Sequence, residues 1–340
     1  MTKQFDIAVV GATGAVGQTM LSILAERDFP ARKIFPLASS QSVGKTLDWR
    51  GEKLIVQAVD QFDFRQVQIA LFSAGGQIAA QYAPIAAQAG CVVIDNSSQF
   101  RYQDSIPLVV TEVNPEQVAE YKKHNIIANP NCSTMQMLVA LKPIYDAVGI
   151  SRINVATYQA VSGAGQKAIT ELYEQTNLSL AGQAITPGIL KQPIAFNVIP
   201  HVAEFLSNGY TLEEMKLVWE TQKILADANI KVNATAVRVP VFHGHSEALH
   251  IETCRKISPQ QAQELLAVAP GVKLFSDTYP TPAQHAAGSD YVYVGRIRED
   301  ISHPLGLNLW VVSDNLRKGA ALNAVHIAEI LVEQYLSKEV

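Results

Sequence analysis

The chain has 340 residues, a length that predicts two domains, because single hydrophobic cores stop growing at about 250 to 300 residues. Hydrophobic residues make up 48% and charged residues 17%, which is typical of a folded protein and excludes extended disorder. The net charge of -4 gives no reason to expect nucleic acid or an anionic membrane surface as a partner. We find neither a cleavable leader nor an apolar run of the ~18 residues that a membrane span needs, and therefore expect a cytoplasmic protein.

The first third of the sequence alternates short apolar runs with helical patterns. Predicted strands cover Asp6–Val10, Lys33–Ala38, Ile69–Ser73 and Cys91–Asp95, and a predicted helix covers Ala15–Arg27. Alternation of this kind is typical of a parallel sheet with helices on both faces.

The turn between the first strand and the first helix is rich in glycine. Such a turn lets the backbone approach a pyrophosphate and presents free N–H groups at a helix N-terminus. Its position after a strand and before a helix favours a nucleotide site over a plain connection. The residues predicted to contact the nucleotide are Gly11, Thr13, Gly14, Ala15, Val16 and Gly17.

The end of the second strand indicates which nucleotide is bound. An NAD site usually has an acidic residue there, which bonds the ribose 2′-hydroxyl. Here the loop contains Ser39, Gln41, Ser42 and Lys45, with no carboxylate to repel a 2′-phosphate. We therefore expect NADP, although the segment could also be an ordinary polar loop.

Beyond Ile150 the sequence becomes richer in β-branched residues. Predicted strands cover Ile153–Gln159, Met215–Thr221, Ala234–Val241, Leu249–Cys254, Tyr291–Ile297 and Asn308–Ser313, and a long amphipathic helix covers Gly319–Leu336. The expected fold is an α/β protein with an N-terminal Rossmann-type parallel sheet and an α+β second domain built on a large mixed sheet. The first domain is expected to span residues 1–130 with the C-terminal helix 316–340, and the second domain residues 131–315.

Three cysteines are widely spaced, which argues against a disulfide framework and for a reducing compartment. Cys132 follows Pro130 and precedes the helical pattern Met135–Leu141, so it is predicted at a helix N-terminus, where a thiolate is stabilised. The alternative is that Cys132 is a small buried apolar residue. Cys91 and Cys254 are expected to be structural.

A thiolate nucleophile usually works with a base. The best candidates are His243 and His245, which would share one strand face if their segment is extended. A metal bound by this pair is disfavoured, because no further cluster of ligand residues accompanies it.

Five segments together resemble the bacterial aspartate-β-semialdehyde dehydrogenase family. The segments cover nearly the whole chain in order, and they are Gly11–Gly17, Pro130–Thr134, Gln159–Gly165, His245–Glu247 and Val311–Ala320. The resemblance implies reversible NADPH-dependent conversion of aspartyl phosphate to aspartate semialdehyde through an acyl-thioester, in biosynthesis of lysine, diaminopimelate, threonine and methionine. It also implies a homodimer formed through the second domain.

The resemblance further implies a role for each matching residue. Cys132 would be the nucleophile, His245 the general acid/base, Asn131 a neighbour of the thiol, and Gln159 a residue that orients the substrate. Binding of the substrate carboxylate, ammonium and phosphate would fall to Arg238, to Glu213, and to Lys216 with Arg101. Further cofactor contacts would come from Ser162, Gly163 and Asn315.

Two features leave alternatives open. Many relatives have Arg-Ser where this chain has Gln41-Ser42, which weakens the expectation of strict NADP preference. Glu213 and Lys216 are three residues apart and could form an exposed ion pair. The alternative functions are N-acetyl-γ-glutamyl-phosphate reductase, which does not need a partner for a free amine, and a non-catalytic nucleotide sensor.

Overall fold

The computed structural model describes residues 3–337, so the last residues of the predicted C-terminal helix, 338–340, lie outside the described part, as do residues 1 and 2. The chain divides into two compact units. The N-terminal unit comprises the residues up to Asn131 and those from Ala320 onward, and the second unit comprises Cys132–Gly319. Within residues 3–337 no helix has both the length and the apolarity required to cross a bilayer.

The N-terminal unit is built on a parallel six-stranded sheet with the order β5-β2-β1-β6-β7-β8. Its strands are β1 (Phe5–Val10), β2 (Ala31–Ala38), β5 (Gln57–Ala58), β6 (Ile69–Phe72), β7 (Val92–Asp95) and β8 (Ile126–Ala128). A hairpin of β3 (Thr46–Trp49) and β4 (Glu52–Ile55) precedes β5, and the main helices are α1 (Ala15–Glu26) and α2 (Gly76–Gln88). Every residue of β1 is buried, as expected for a central parallel strand with both faces covered. The predicted parallel sheet is confirmed.

The C-terminal helical segment belongs to this unit from Ala320 onward. It consists of α7 (Leu322–Ile330) with a π-helical turn at each end, Arg317–Ala321 and Leu331–Leu336. Its apolar residues join the core that surrounds β1 and α1, including the fully buried Val325 and Ile327. This packing explains why the segment is so apolar.

The second unit contains a mixed six-stranded sheet with the order β10-β9-β11-β14-β13-β12. The strands are β9 (Ile150–Gln159), β10 (Lys231–Arg238), β11 (His245–Thr253), β12 (Val272–Phe275), β13 (Val292–Glu299) and β14 (Gly306–Ser313), and the helices are α3 (Cys132–Val148), α4 (Gln166–Leu180), α5 (Leu212–Ile224) and α6 (Pro259–Ala267). β11 lies in the centre and is antiparallel to both β9 and β14. The predicted large mixed sheet is confirmed, and α3 packs on one of its faces.

One predicted element is wrong. The segment Met215–Thr221, predicted as a strand, lies inside helix α5. Thr211 accepts a hydrogen bond from the Glu214 N–H, and the Glu214 carboxylate accepts one from the Thr211 N–H, so a capping box fixes the helix start. The short apolar run resembled a strand because it is too short to distinguish the two-residue period of a strand from the 3.6-residue period of a helix.

Candidate active site

The glycine-rich turn lies at the carboxyl edge of the N-terminal sheet. β1 pairs with both β2 and β6, so the turn after β1 lies where strand order changes direction. The Gly11 and Ala12 N–H groups donate to the Leu37 carbonyl at 2.8 and 3.1 Å, which fixes the turn to the end of β2. Open parallel sheets bind ligands at such a switch point.

Two of the glycines are required by the geometry of this turn. Gly11 has a φ of +84°, and a methyl group there would lie 2.9 Å from the Ala74 nitrogen. A methyl group at Gly17 would collide with the Gly11 carbonyl oxygen. No side chain among residues 3–337 caps the start of α1 at Gly14, so its first N–H groups face outward as anion donors. These features fit a dinucleotide pyrophosphate.

The loop after β2 carries the residues predicted to set cofactor preference. Ser39 and Gln41 are exposed, whereas Ser42 is buried and accepts a hydrogen bond from Lys45 Nζ at 3.4 Å. This loop and the glycine-rich turn follow neighbouring parallel strands, so both lie at the same edge of the sheet.

A second glycine-containing loop at this edge was not predicted as part of the site. Ser73 follows β6 and donates from its hydroxyl to the Val10 carbonyl at 3.1 Å, while Gly75 and Gly76 lead directly into α2. The signal was available, since two glycines between a strand and a helix repeat the pattern of the first turn.

Arg101 is also part of the N-terminal unit. Its side chain is buried, and its Nη2 donates to the Asn96 carbonyl at 3.0 Å. Burial raises the pKa of the neighbouring Asp95, opposed by hydrogen bonds from Ser97 and by the Arg101 charge. Asn131, the last residue before Cys132, is likewise buried.

Cys132 is the first residue of α3, so the prediction that it starts a helix is confirmed. It is partly exposed, whereas Cys91 is buried and Cys254 is exposed. Burial raises the pKa of the Cys91 thiol, which makes it inert. A methyl group at Gly319 would lie 2.8 Å from Cys132 Cβ, so this glycine leaves space beside the thiol.

Gln159, at the end of β9, connects several polar groups. Its amide nitrogen lies 3.1 Å from Ser133 Oγ and 3.2 Å from Glu213 Oε1, and all three residues are buried. Glu213 Oε2 in turn accepts from Lys216 Nζ at 2.9 Å. The Glu213–Lys216 ion pair exists, but it is not the exposed pair considered as an alternative, because the side chains are only 8% and 16% exposed.

The backbone of Ala160 forms hydrogen bonds with two titratable side chains, those of His245 and Arg238. Its N–H donates to His245 Nδ1 at 3.0 Å, and its carbonyl accepts from Arg238 Nη1 at 2.7 Å. Burial first, and then the Arg238 charge, lowers the pKa of His245 to about 3, with Glu213 opposing. The imidazole is therefore neutral, and because Nδ1 accepts, its proton lies on Nε2.

Arg238 and His245 each keep an unused donor. Neither Arg238 Nε nor His245 Nε2 has a hydrogen-bond partner among residues 3–337, although both atoms are buried. Burial lowers the pKa of Arg238, and the charges of Glu213 and Cys132 oppose this shift. The second unit therefore contains one electrostatic cluster, which is formed by Cys132, Glu213, Arg238 and His245.

His243 does not share the strand face of His245. β11 begins at His245, and Gly244 before it has a φ of +88°, so the segment is not extended at His243. Across residues 3–337 no group of three or more His, Cys, Asp or Glu side chains is arranged to hold a metal ion.

The remaining cofactor candidates also lie close together in the second unit. Asn315 Oδ1 accepts from Ser162 Oγ and from the Gly244 N–H, each at 3.0 Å. The Asn315 amide nitrogen is buried without a partner among the described residues. A methyl group at Gly163 would lie 3.1 Å from Arg238 Nη1 and 3.3 Å from the His245 ring. The Asn315 amide donor and the backbone of Gly163, a residue without a side chain, are suited to binding a flat polar ring.

Comparison with known proteins agrees with this arrangement. The family model described as semialdehyde dehydrogenase, NAD binding domain, matches residues 6–121, and the one described as semialdehyde dehydrogenase, dimerisation domain, matches residues 141–318. The chain is 59% identical to an aspartate-semialdehyde dehydrogenase of Shewanella violacea over 98% of this chain and 100% of the relative. It is 52% identical to one of Aquifex aeolicus over 98% of this chain and 99% of the relative.

Solved structures give the same result. Aspartate semialdehyde dehydrogenase II of Vibrio cholerae, solved in complex with ASA, is 59% identical with a TM-score of 0.97, and covers 98% of this chain and 100% of that chain. An enzyme of Candida albicans solved with NADP is 26% identical with a TM-score of 0.76, over 97% of this chain and 98% of that chain. The chain therefore belongs to the aspartate-semialdehyde dehydrogenase family of oxidoreductases, with a semialdehyde dehydrogenase NAD(P)-binding domain at its N-terminus.

Proposed function

We propose that this protein catalyses reversible, NADPH-dependent reductive dephosphorylation of L-4-aspartyl phosphate to L-aspartate 4-semialdehyde, through an acyl-thioester on Cys132. The observation that carries the proposal is the buried cluster around Cys132, in which one guanidinium (Arg238) and one carboxylate (Glu213) accompany a neutral imidazole (His245). These charges match an α-amino acid. The reaction supplies biosynthesis of lysine, diaminopimelate, threonine and methionine, in the cytoplasm.

Cys132 begins the reaction as a thiolate. Its place at the first position of α3 puts the sulfur at the positive end of the helix dipole, and the nearby Arg238 charge favours an anion. The sulfur attacks the acyl carbon, the C–S bond forms, the bond to the phosphate oxygen breaks, and phosphate leaves. Dividing the exchange in this way gives each step a good leaving group.

Bound NADPH supplies the hydride that reduces the thioester. His245 presents its Nε2–H to the carbonyl oxygen, which becomes negative as the carbon is reduced. When the carbonyl re-forms, the C–S bond breaks, and the N-terminus of α3 stabilises the released Cys132 thiolate. In the reverse direction the Cys132 thiolate adds to the aldehyde carbon as the C=O π bond opens, and the same His245 Nε2–H stabilises the negative oxygen that forms. The acid/base function expected of His245 is thus proposed to be hydrogen-bond donation to this oxygen.

Each polar group of the substrate has a candidate partner. Arg238 has a planar fork suited to the α-carboxylate, and its Nε has no partner among residues 3–337. Glu213 takes the α-ammonium, and Gln159 and Asn131 orient the acyl group. Lys216, on the same face of α5 as Glu213, is a candidate partner of the phosphate, and so is Arg101 in the N-terminal unit.

The cofactor is NADP. When bound, NADP would be held at its pyrophosphate by Thr13 to Val16 and at its nicotinamide amide by Ser162, Gly163 and Asn315. Ser39 and Ser42 donate to the 2′-phosphate, and Gln41 adds a neutral donor where an arginine would add charge. The absence of a carboxylate between Ser39 and Lys45 in the sequence supports this preference.

The active form is a homodimer built through the second unit. The matching family model carries the words dimerisation domain. The outer face of the mixed sheet exposes Tyr158 by 39%, and its ring packs on Trp310 at 5.6 Å. Tyr158→Asp should convert a dimer to a monomer in light-scattering measurements, and an unchanged mass would exclude this face.

The activity is tested by mixing the protein with NADP, phosphate and aspartate semialdehyde and recording NADPH absorbance. The parent should turn over, and Cys132→Ser should lose at least about a thousandfold in kcat, because a serine without a triad is a poor nucleophile. Cys254→Ser, at an exposed thiol, is the matched control and should keep full activity. Residual activity of more than a few per cent in Cys132→Ser would remove the thioester from the proposal.

Glu213→Gln separates this function from reduction of an N-acetylated substrate. Loss of the carboxylate should lower kcat/KM for aspartate semialdehyde by about tenfold to a hundredfold, since a charged hydrogen bond to the ammonium is lost. Lys216→Ala should chiefly raise the KM for phosphate. Unchanged kcat/KM in Glu213→Gln would contradict the amine contact and favour N-acetyl-γ-glutamyl-phosphate reduction.

A further inference from the structure

A second buried pair lies on the two elements that carry Cys132 and His245. Glu247 follows His245 by two residues on β11, and residues this far apart in a strand point to one face. Gln136 follows Cys132 by four residues on α3, so it lies on the same helix face one turn further on. Glu247 is 0% exposed and Gln136 is 1% exposed.

These two side chains both carry polar atoms in the interior of the second unit. Both carboxyl oxygens of Glu247 and the amide nitrogen of Gln136 are buried without a hydrogen bond of ordinary geometry among residues 3–337. Gln136 nevertheless lies near enough to Glu247 to lower the pKa of its carboxyl, which offsets part of the effect of burial.

Burial dominates the state of the Glu247 carboxyl and raises its pKa well above the usual 4.5. Its neighbours across the sheet are Thr157 on β9 and Val311 on β14, neither of which is charged. His245, on its own strand, is neutral, and Gln136 is the group that faces it from α3. Burial therefore favours the protonated form of the Glu247 carboxyl.

A protonated carboxyl and a carboxamide are complementary, since each offers one donor and one acceptor to the other. We propose that Glu247 and Gln136 form a buried acid–amide pair that fixes α3 against β11 and thereby sets Cys132 relative to His245. Glu247 and Gln136 are thus positioning residues for the proposed reaction, on which this inference rests. An apolar pair of the same volume would pack at lower cost, but it would not fix the register of the two elements.

The test compares Glu247→Gln, which keeps a pairing amide, with Glu247→Leu, which removes it. Leu249→Met on the same buried strand face is the matched control. Glu247→Gln and the control should keep kcat within about twofold, while Glu247→Leu should lower kcat by about tenfold or more with little change in KM, since small displacements of reacting groups are costly. Gln136→Leu should behave like Glu247→Leu.

The double variant Glu247→Leu with Gln136→Leu separates positioning from stability. Replacing both polar groups should restore the free energy of unfolding, because no buried group is left unpaired, but kcat should stay low. Recovery of kcat together with stability would overturn the positioning role, as would a folded Glu247→Leu with parental kcat.

Two readouts do not depend on turnover. In a Cys254→Ser background, Glu247→Leu should change the rate at which iodoacetamide alkylates Cys132, whereas Glu247→Gln should not. A carboxyl whose folded pKa is raised contributes stability that is fully present below its unfolded pKa of about 4.5 and is lost as the pH rises through its folded pKa, so Glu247→Gln should flatten the decline in unfolding free energy above about pH 5. If Glu247→Leu does not fold, Cys132 alkylation and the pH dependence of the unfolding free energy are compared between Glu247→Gln and the parent. An unchanged pH dependence would overturn the neutral pair.

Discussion

At the scale of single residues, Ala160 orients two side chains of the candidate site through its backbone. It orients the His245 ring through its N–H and the Arg238 guanidinium through its carbonyl. Since Nδ1 is occupied as an acceptor, the neutral His245 ring can only donate from Nε2. The backbone of one residue thus orients both a hydrogen-bond donor and a guanidinium group.

Arg238→Lys should be far from conservative. Lysine keeps the charge, but it cannot bond the Ala160 carbonyl and a substrate carboxylate in one plane. We expect kcat/KM for aspartate semialdehyde to fall by about a hundredfold, with kcat contributing because the acyl carbon no longer lines up with Cys132. Steady-state kinetics check this, with the exposed Arg65→Lys as control. Parental kinetics in Arg238→Lys would exclude the bidentate contact.

At the scale of elements, the carboxyl ends of β1 and β2 bring the pyrophosphate turn and the Ser39–Ser42 loop to one edge. Val10 at the end of β1 pairs with Leu37 near the end of β2, and the two strands are parallel. The segments that follow them must therefore lie at the same edge of the sheet. Under the proposed function, this short loop would lie beside the ribose of a nucleotide held at the turn and would set the cofactor preference.

Gln41→Arg should widen the preference for NADP over NAD. Gln41 is exposed, so a guanidinium there can reach the 2′-phosphate without repacking, and a charged hydrogen bond contributes about 1.5 to 3 kcal/mol. The ratio of kcat/KM for the two cofactors should rise by about tenfold or more. Gln88→Arg, an exposed site at the end of α2, carries the same charge change as a control. A parent that prefers NAD would contradict the proposed role of the loop.

At the scale of the whole molecule, burying His245 makes the folded state sensitive to acid. The unfolded ring has its usual pKa near 6.5, while burial lowers the folded pKa to about 3. The unfolded state therefore binds more protons between these values, and the free energy of unfolding must fall as the pH drops from about 6.5 toward 3.

His245→Gln should weaken this acid dependence, because the group that takes up the proton on unfolding is gone. Urea unfolding of parent and variant between about pH 7 and pH 4 measures the two slopes. His124→Gln, at an exposed histidine, should leave the parental slope unchanged. Equal slopes in His245→Gln and the parent would show that the buried imidazole is not the group responsible.

Features encoded within a few neighbouring residues could be predicted from the sequence by itself. The strand, glycine turn and helix at the N-terminus are such features, and so is the helix that starts at Cys132 after Pro130. Each depends on local backbone sterics and hydrogen bonding, which the residues fix before any tertiary contact forms. The resemblance of ordered motifs then indicated the family.

Other features were decided by tertiary structure. The apolar run around Met215 fits either period, and packing of α5 together with its capping box made it a helix. Gln159 and Glu213 are 54 residues apart, and only the assembled second unit brings their side chains within 3.2 Å. Glu247 reads as one more charged residue in the sequence. Its complete burial follows from the central place of β11 under α3, because a side chain's dielectric surroundings are set by everything packed around it.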